Sequence, residues 1–257
     1  AAQKAQERFT KVLGDSAEKS LVMARAVATE GWVRLLMGMH ACESPKEPGG
    51  EVVPDTEMYK LAIPILTRAT AVAKAAGSVD YERFATAGRA RANLLAGNYD
   101  AALADAQTIP DNFVYAAKFS DTGTNNNLSA FTHHTRLKAG GLDSRRWSTI
   151  DTIAGFMRDP ATGELDRRVE ITRRGNGGDN VKKFFAQEKF KNLSDDINMT
   201  TGWEMRLIEA EVYMRKNDFT NAMARINEVR ENAGLDPVTG TTQSEVQTHL
   251  LNERFAH

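Results

Sequence analysis

Apolar residues between Trp203 and Leu235 recur at the spacing of two amphipathic helices. The first stripe consists of Trp203, Leu207, Ala210 and Met214. The second consists of Phe219, Ala222, Ile226, Val229 and Ala233. Asp218, between the two stripes, is a good N-cap, and Gly234 stands where a left-handed C-terminal cap belongs. The pattern therefore predicts an αα-hairpin that is most closely packed at its small residues, Ala210 and Ala222.

An earlier stretch, Tyr81–Ile109, has the same arrangement of residues. Its Ala90, Tyr99 and Ala102 each lie 120 positions before the corresponding Ala210, Phe219 and Ala222. An alanine, an aromatic residue at the turn and a second alanine are typical of tetratricopeptide-like helix pairs, which stack on their neighbours. The alternative is that any two αα-hairpins would share this spacing.

The same criteria predict further helices over residues 3–13, 15–40 and 55–76, and from Thr242 onward. Capping boxes, Asp15 with Glu18 and Thr242 with Glu245, mark two of the helix starts. The stripe of the long helix 15–40 consists of Leu21, Ala24, Ala28, Trp32, Leu35 and Met39. Three prolines and a Gly-Gly pair predict a loop over Cys42–Pro54, and Pro64 should kink or locally break the next helix.

Between Asp111 and Thr201 the helical periodicity fades and turn-forming sequences follow one another. Short extended pieces are expected around Arg168–Thr172 and Val181–Phe185. We predict a mainly α protein with tetratricopeptide-like helical hairpins and a long irregular, loop-rich insert. It would form one domain over 1–257, helical over 1–110, irregular over 111–201 and helical again over 202–257. Both ends look like those of a processed or partial chain.

Composition excludes some classes of function and leaves others open. The net charge of −1 argues against nucleic-acid binding through bulk electrostatics, and no apolar run reaches the length of a membrane span. The single Cys42 excludes an internal disulfide. Residues 136–191 contain thirteen basic and eight acidic side chains, a local charge of +5. This basic insert either faces an anionic ligand or partner, or uses its arginines to brace loops.

Catalytic signatures are missing from the sequence, which contains no nucleophile elbow, zinc-protease motif or phosphate-binding loop. The run from Asp121 to Asn125 alternates oxygen ligands but lacks the bidentate Glu of a calcium loop. We therefore expect a protein that is not an enzyme and uses no cofactor or metal.

Binding chemistry is best represented by Trp147, which follows a loop and lies off every helical stripe. Flat aromatic rings stack on the C–H faces of sugars, while arginine and asparagine side chains bind hydroxyl groups. The candidate ligand-binding residues are Trp147, Arg145, Arg146, Asn126 and Asn127. The alternative is that Trp147 fills a small core of the insert, as Trp32 and Trp203 are expected to do in the helices.

Four stretches of the sequence resemble the SusD/RagB family of outer-membrane nutrient-binding lipoproteins. SLVMARAVATEGWVRLLMGMHACESP (20–45) resembles the family's long helix, and YERFATAGRARANLLAGNYDAALADA (81–106) its helical hairpin. EKFKN (188–192) and the hairpin WEMRLIEAEVYMRKNDFTNAMARINEVRENAGL resemble the family's later hairpin region. SEVQTHLLNERFAH (244–257) resembles the start of its closing helix.

This resemblance implies a lipid-anchored protein of the outer-membrane surface that captures glycans or peptides. It would deliver them to a SusC-like TonB-dependent β-barrel transporter, and it would contact the membrane only through its lipid anchor. A different reading is a tetratricopeptide-like scaffold whose concave face binds a peptide of a partner protein. An enzyme with an unrecognised site is the third alternative.

Overall fold

The structure is a computed structural model that describes residues 1–120, 157–176, 181, 183–190, 192 and 194–256. These residues are mainly helical, which confirms the predicted fold class. The helices are α1 (Ala2–Leu13), α2 (Leu21–His40), α3 (Asp55–Ala75), α4 (Val79–Leu95), α5 (Tyr99–Ala106), α6 (Gly202–Arg215), α7 (Phe219–Asn232) and α8 (Gln243–Ala256). The strands are β1 (Glu43–Pro45), β2 (Val52–Pro54), β3 (Val114–Ala117), β4 (Ile171–Asn176), β5 (Lys183–Gln187) and β6 (Ile197–Thr201).

The chain divides into two compact units. Unit 1 comprises Ala1–Tyr115 and Thr200–Arg225, and unit 2 comprises Ala116–Met199 and Ile226–His257. Strands pair in twos, as β1–β2, β3–β6 and β4–β5. The prediction of a single domain over 1–257 stays a prediction.

Both predicted helical hairpins are present, as α4–α5 and α6–α7. Their four small residues, Ala90, Ala102, Ala210 and Ala222, are fully buried. Asp218 caps α7 as expected, because its carboxylate accepts a hydrogen bond from the backbone N–H of Asn221 at 3.1 Å. Gly234 has φ 67°, the left-handed conformation predicted for it. The helix boundaries of this region could therefore be read from the sequence.

The predicted start of α2 was wrong. Residues Gly14–Lys19 form a separate 3₁₀ helix, and α2 begins at Leu21. Its N-cap is Ser20, whose hydroxyl accepts a hydrogen bond from the backbone N–H of Met23 at 3.3 Å. The two ends of the predicted stripe are also not core, since Leu21 is 54% exposed and Met39 is 42% exposed.

Two further expectations need correction. Within the predicted loop Cys42–Pro54, β1 and β2 pair as a short antiparallel hairpin. Helix α3 runs unbroken from Asp55 to Ala75 through Pro64, so the predicted break is absent.

The remaining local predictions largely agree with the structure. Thr242 and Glu245 form the predicted capping box: the backbone N–H of each donates to the side chain of the other, at 3.0 and 3.4 Å. The extended pieces expected around 168–172 and 181–185 overlap β4 and β5, which form an antiparallel hairpin, but Arg167–Val169 is a 3₁₀ helix and β4 begins only at Ile171. Among the described helices, none combines the length and the apolar character needed to cross a membrane.

Candidate ligand-binding site

The residues that the sequence suggested for ligand binding lie outside the described part of the chain. These are Trp147, Arg145, Arg146, Asn126 and Asn127. Their assignment stays a prediction, and the candidate site below is built from other residues, all of them in unit 1.

Four aromatic side chains form a continuous row of ring contacts in unit 1, which we call the aromatic row. Trp32 of α2 stacks on Phe84 of α4, with ring centroids 4.8 Å apart and an interplanar angle of 6°. Phe84 stacks in turn on Tyr115 of β3, with centroids 3.6 Å apart. The Tyr115 ring also contacts the Tyr81 ring, with centroids 6.0 Å apart and an interplanar angle of 54°. The row begins in the core at Trp32 and ends at two half-buried tyrosines.

The buried end of the row is held firmly. The Trp32 indole N–H donates a hydrogen bond to the backbone carbonyl of Phe84 at 3.0 Å. The guanidinium of Arg91 lies 4.7 Å from the centre of the Trp32 ring, within the range of a cation–π contact. Arg91 is itself fixed by a bidentate pair with Glu204, with N–O distances of 2.6 and 2.5 Å. A Cβ atom at Gly88 would lie 2.8 Å from the Trp32 ring, so glycine permits the close approach.

The partly exposed end of the row combines apolar ring surface with polar groups. Burial, followed by the hydrogen bond with Tyr81, raises the pKa of the Tyr115 phenol to about 12. Tyr115 is therefore neutral at physiological pH and can both donate and accept a hydrogen bond. Two charged groups act on the same phenol, since Arg25 lowers its pKa and Asp80 raises it. Arg25 and Asp80 are both exposed.

This end of the row has the composition of a site for a ligand with one apolar and one hydroxyl-bearing side. A ring of Tyr81 or Tyr115 can stack against C–H groups, because aromatic side chains offer a large rigid surface with a polar tip. Arg25 and Asp80, whose charges act on the Tyr115 phenol, can exchange hydrogen bonds with hydroxyl groups of a ligand. The rigid stack behind Tyr115 holds its ring in position without the ligand, which lowers the entropy cost of binding.

A shallow polar groove of about 730 Å³ lies elsewhere in unit 1, between α1 and α2. The side-chain amides of Gln3 and Gln6 both donate to the carboxylate of Glu30, at 2.9 and 2.7 Å. The residues that line the groove are Gln3, Gln6, Glu7, Thr10 and Glu30. Because none of these described lining residues is aromatic, the groove is a weaker candidate for sugar stacking than the aromatic row.

Unit 2 contains a buried network of five charged side chains, which we call the ion network. Arg230 pairs with Glu253 at 2.9 Å and with Asp159 at 2.6 Å. Arg168 pairs with Glu253 at 2.5 Å and with Asp166 at 2.7 Å. Every charge in the network has a partner, which is the condition under which buried charges are tolerated. The network therefore fixes the segment 157–170 against α7 and α8.

Arginines of the insert do brace loops, as one of the two sequence readings proposed. Arg168 does so through the ion network, and Arg167 donates to the backbone carbonyl of Ala233 at 3.0 Å and to that of Gly234. Arg173 and Lys183 are exposed, and among the described residues neither has such a partner. No group of three or more potential metal ligands occurs in the described parts of the chain. Cys42 is exposed.

The tyrosines at the end of the row were missed by the sequence analysis. Tyr81 belongs to the first turns of α4, where a tyrosine reads as an ordinary helical residue. Tyr115 lies in a short apolar run after Pro110, which predicted nothing beyond an irregular segment. The nearest signal was Trp32 on the apolar stripe of α2, which predicts a core residue but does not identify the tyrosines at the other end of the row.

No protein-family model and no curated protein sequence matches this chain. Solved structures do match it. A SusD superfamily protein from Bacteroides vulgatus superposes with a TM-score of 0.68 at 16% identity, covering 99% of this chain and 70% of that protein. The chain has the SusD-like fold.

Two further SusD-like structures agree. A SusD superfamily protein from Bacteroides thetaiotaomicron has a TM-score of 0.64 at 14% identity, over 94% of this chain and 66% of its own. A SusD-like carbohydrate binding protein from Bacteroides vulgatus has a TM-score of 0.60 at 14% identity, and the match covers 99% of this chain and 65% of that protein. The chain thus spans about two thirds of the length of these SusD-like proteins. At such low identity the likeness establishes the fold alone.

Proposed function

We propose that this protein binds glycans at the surface of the outer membrane and delivers them to a SusC-like TonB-dependent β-barrel transporter. The observation that carries the proposal is the aromatic row, which ends at Tyr81 and Tyr115 within a SusD-like fold. One of the structural neighbours is a carbohydrate binding protein. In this account the protein is held at the membrane by a lipid anchor and binds its ligand without converting it.

Calorimetric titration with a panel of oligosaccharides and peptides tests the proposal. At least one oligosaccharide should bind, and Tyr81→Ala should weaken its binding about ten-fold, by analogy with the ~1–3 kcal/mol that a stacked ring contributes to nucleic-acid binding. The matched control is Tyr99→Ala, because Tyr99 is also half-buried near a helix start but contacts Arg215 instead of the row. Equal effects of the two variants, or no oligosaccharide binding at all, would contradict the proposal.

The insert 111–201 is the second part of the proposal. We infer that Trp147, Arg145, Arg146, Asn126 and Asn127 contribute to recognition, because Trp147 lies off any helical stripe in a turn-rich segment. Loops on a rigid helical frame can vary in shape without disturbing the core.

One observation favours a second candidate function, a scaffold that binds a partner-protein peptide. Helices of the two hairpins pack together in unit 1, where Arg206 of α6 donates to the backbone carbonyls of Ala106, the last residue of α5, and of Ile109, at 3.1 and 2.6 Å. Stacked hairpins of this kind form the peptide-binding surfaces of repeat proteins. The peptide arm of the titration separates the two functions, since the scaffold reading predicts binding of peptides and not of oligosaccharides.

A further inference from the structure

The β4–β5 hairpin, residues Ile171–Gln187, has an exposed and locally basic surface. Its sequence contains four basic residues and one acidic residue, in a chain whose net charge is −1. The side chains of Arg173 and Lys183 are both exposed, and neither forms an ion pair with another residue that the structure describes. Other arginines nearby are engaged, since Arg167 and Arg168 hold backbone carbonyls and carboxylates. Within this part of unit 2, the hairpin thus carries two exposed cations that are not engaged in bracing loops.

The register of the hairpin places these two cations on one face. Arg173 lies directly opposite Phe185 in the antiparallel ladder, and cross-strand neighbours of this kind share a face. Lys183 precedes Phe185 by two residues on the same strand, and alternate residues of a strand also share a face. The half-buried Phe185 ring therefore has an arginine across the ladder and a lysine along its own strand.

The base of the hairpin is anchored. The backbone N–H of Glu188 donates to the carbonyl of Glu170 at 3.1 Å, which closes the two strands. Arg168, three residues before β4, belongs to the buried ion network and is held there by Asp166 and Glu253. The two exposed charges are thus carried on a fixed arm of unit 2 and do not lie on a free chain end.

A phenyl ring flanked by two cations matches the chemistry of an acidic sugar. A uronic acid residue has C–H groups that can stack on an aromatic ring and a carboxylate that can pair with arginine or lysine. Arginine suits this role because its planar group binds a carboxylate through two hydrogen bonds. A lipid surface would be expected to select an apolar face with a longer row of cations.

We propose that the face formed by Arg173, Phe185 and Lys183 binds the uronic acid residues of an acidic polysaccharide. This surface is additional to the tyrosine end of the aromatic row. It adds a ligand class to the proposed function, and its binding can be measured separately from that function.

The test compares a galacturonic acid oligosaccharide with the corresponding neutral galactose oligosaccharide, titrated into the intact chain at low and high salt. The acidic oligosaccharide should bind more tightly, and its advantage should shrink at high salt because exposed ion pairs are screened. Arg173→Gln with Lys183→Gln should weaken binding of the acidic oligosaccharide about two- to thirty-fold, the product expected for two exposed pairs. Phe185→Leu should also weaken it while leaving the charges in place.

Two matched variants control for net charge and for geometry. Lys4→Gln with Lys11→Gln also removes two positive charges, but from exposed positions of α1, and should leave binding of the acidic oligosaccharide unchanged. Arg173→Lys with Lys183→Arg keeps the charge and should retain most of the binding. Tyr81→Ala should keep the preference for the acidic oligosaccharide, which separates this surface from the proposed neutral-glycan site.

Three results would overturn the proposal. The first is equal affinity for acidic and neutral oligosaccharides. The second is an equal loss of binding in the α1 control, which would indicate a general charge effect. The third is binding to phosphatidylglycerol vesicles or single-stranded DNA with no binding of the acidic oligosaccharide, which would assign the hairpin to a different anionic partner.

Discussion

Arg230 and Glu253 form an ion pair, with 2.9 Å between Nη1 and Oε1, at a position where both side chains are almost completely buried. Arg230 lies in the C-terminal half of α7, which belongs to unit 2, and Glu253 lies in α8, so the pair joins these two helical segments. Glu253 also pairs with Arg168, and Arg230 also pairs with Asp159. The charges of segment 157–170 and those of the α7–α8 region, which are distant in sequence, are therefore neutralised through this one contact.

We predict that Glu253→Gln destabilises unit 2 by about 3–5 kcal/mol, because removing one member of a buried pair leaves the other charge uncompensated. Both Arg230 and Arg168 lose a partner in this variant. Hydrogen exchange of the backbone amides in 157–176 and in α8 measures the effect locally, without assuming that the whole chain unfolds in one step.

The exposed pair Lys60–Glu57 provides the control for this experiment. Lys60→Ala should change stability by no more than about 1 kcal/mol, since exposed ion pairs contribute little. If Glu253→Gln were as harmless as Lys60→Ala, the ion network would not be what holds segment 157–170.

The ion network also predicts that the stability of unit 2 depends on pH. Burial alone would raise the pKa of Asp159 and Asp166, but hydrogen bonds from Arg230 and Arg168 outweigh it, and both pKa values lie below the ordinary value. A lowered pKa in the folded state contributes stability that is complete above the unfolded-state pKa of about 4 and is lost as the pH falls further. Unit 2 should therefore lose protection from hydrogen exchange below about pH 4.

Asp166→Asn checks the origin of this acid sensitivity. The variant should be less stable than the parent at neutral pH, and its stability should fall less steeply in acid, because one of the titrating groups is gone. Parallel pH profiles for the variant and the parent would show that the acid sensitivity arises elsewhere.

The small residues of the helical hairpins give a third prediction. Ala102 is fully buried in α5 and Ala101 beside it is exposed, so the two form a matched pair on one helix. Ala102→Leu should destabilise unit 1 by about 1–3 kcal/mol through overpacking, and Ala210→Leu should do the same in α6. Urea unfolding measures both. Ala101→Leu should be nearly neutral, and a comparable loss in that variant would exclude close packing as the cause.

Local signals explain why the α6–α7 hairpin could be predicted from the sequence. Asp218 and Gly234 each fix one end of α7 through a contact or a dihedral angle that depends only on nearby residues. The start of α2 could not be decided this way, because Asp15 and Ser20 are both good N-caps. In the structure residues 14–19 form a separate 3₁₀ helix, and Ser20, which follows it, is the N-cap of α2.

The candidate site was less accessible to sequence reasoning than the fold. Phe84 and Tyr115 are 31 positions apart, and their contact is created by the packing of β3 against α4. The basic character of the insert was visible in the sequence. Only the structure shows how these cations divide. Arg167 and Arg168 brace loops, whereas Arg173 and Lys183 extend into solvent.

Trp147 gives a fourth prediction, carried by the sequence alone. Trp147→Ala should weaken oligosaccharide binding about ten-fold, by analogy with the ~1–3 kcal/mol of a stacked base, and should leave the melting temperature nearly unchanged. Calorimetric titration and thermal unfolding of the same samples measure the two effects. A lowered melting temperature with unaltered binding would make Trp147 a core residue of the insert.

The most direct test of the central claim is a crystal structure of the protein with a neutral oligosaccharide that binds in solution. The account predicts a sugar ring stacked on Tyr81 or Tyr115, with its hydroxyl groups near Arg25 or Asp80. A neutral oligosaccharide bound elsewhere, with the two tyrosine rings uncovered, would contradict it.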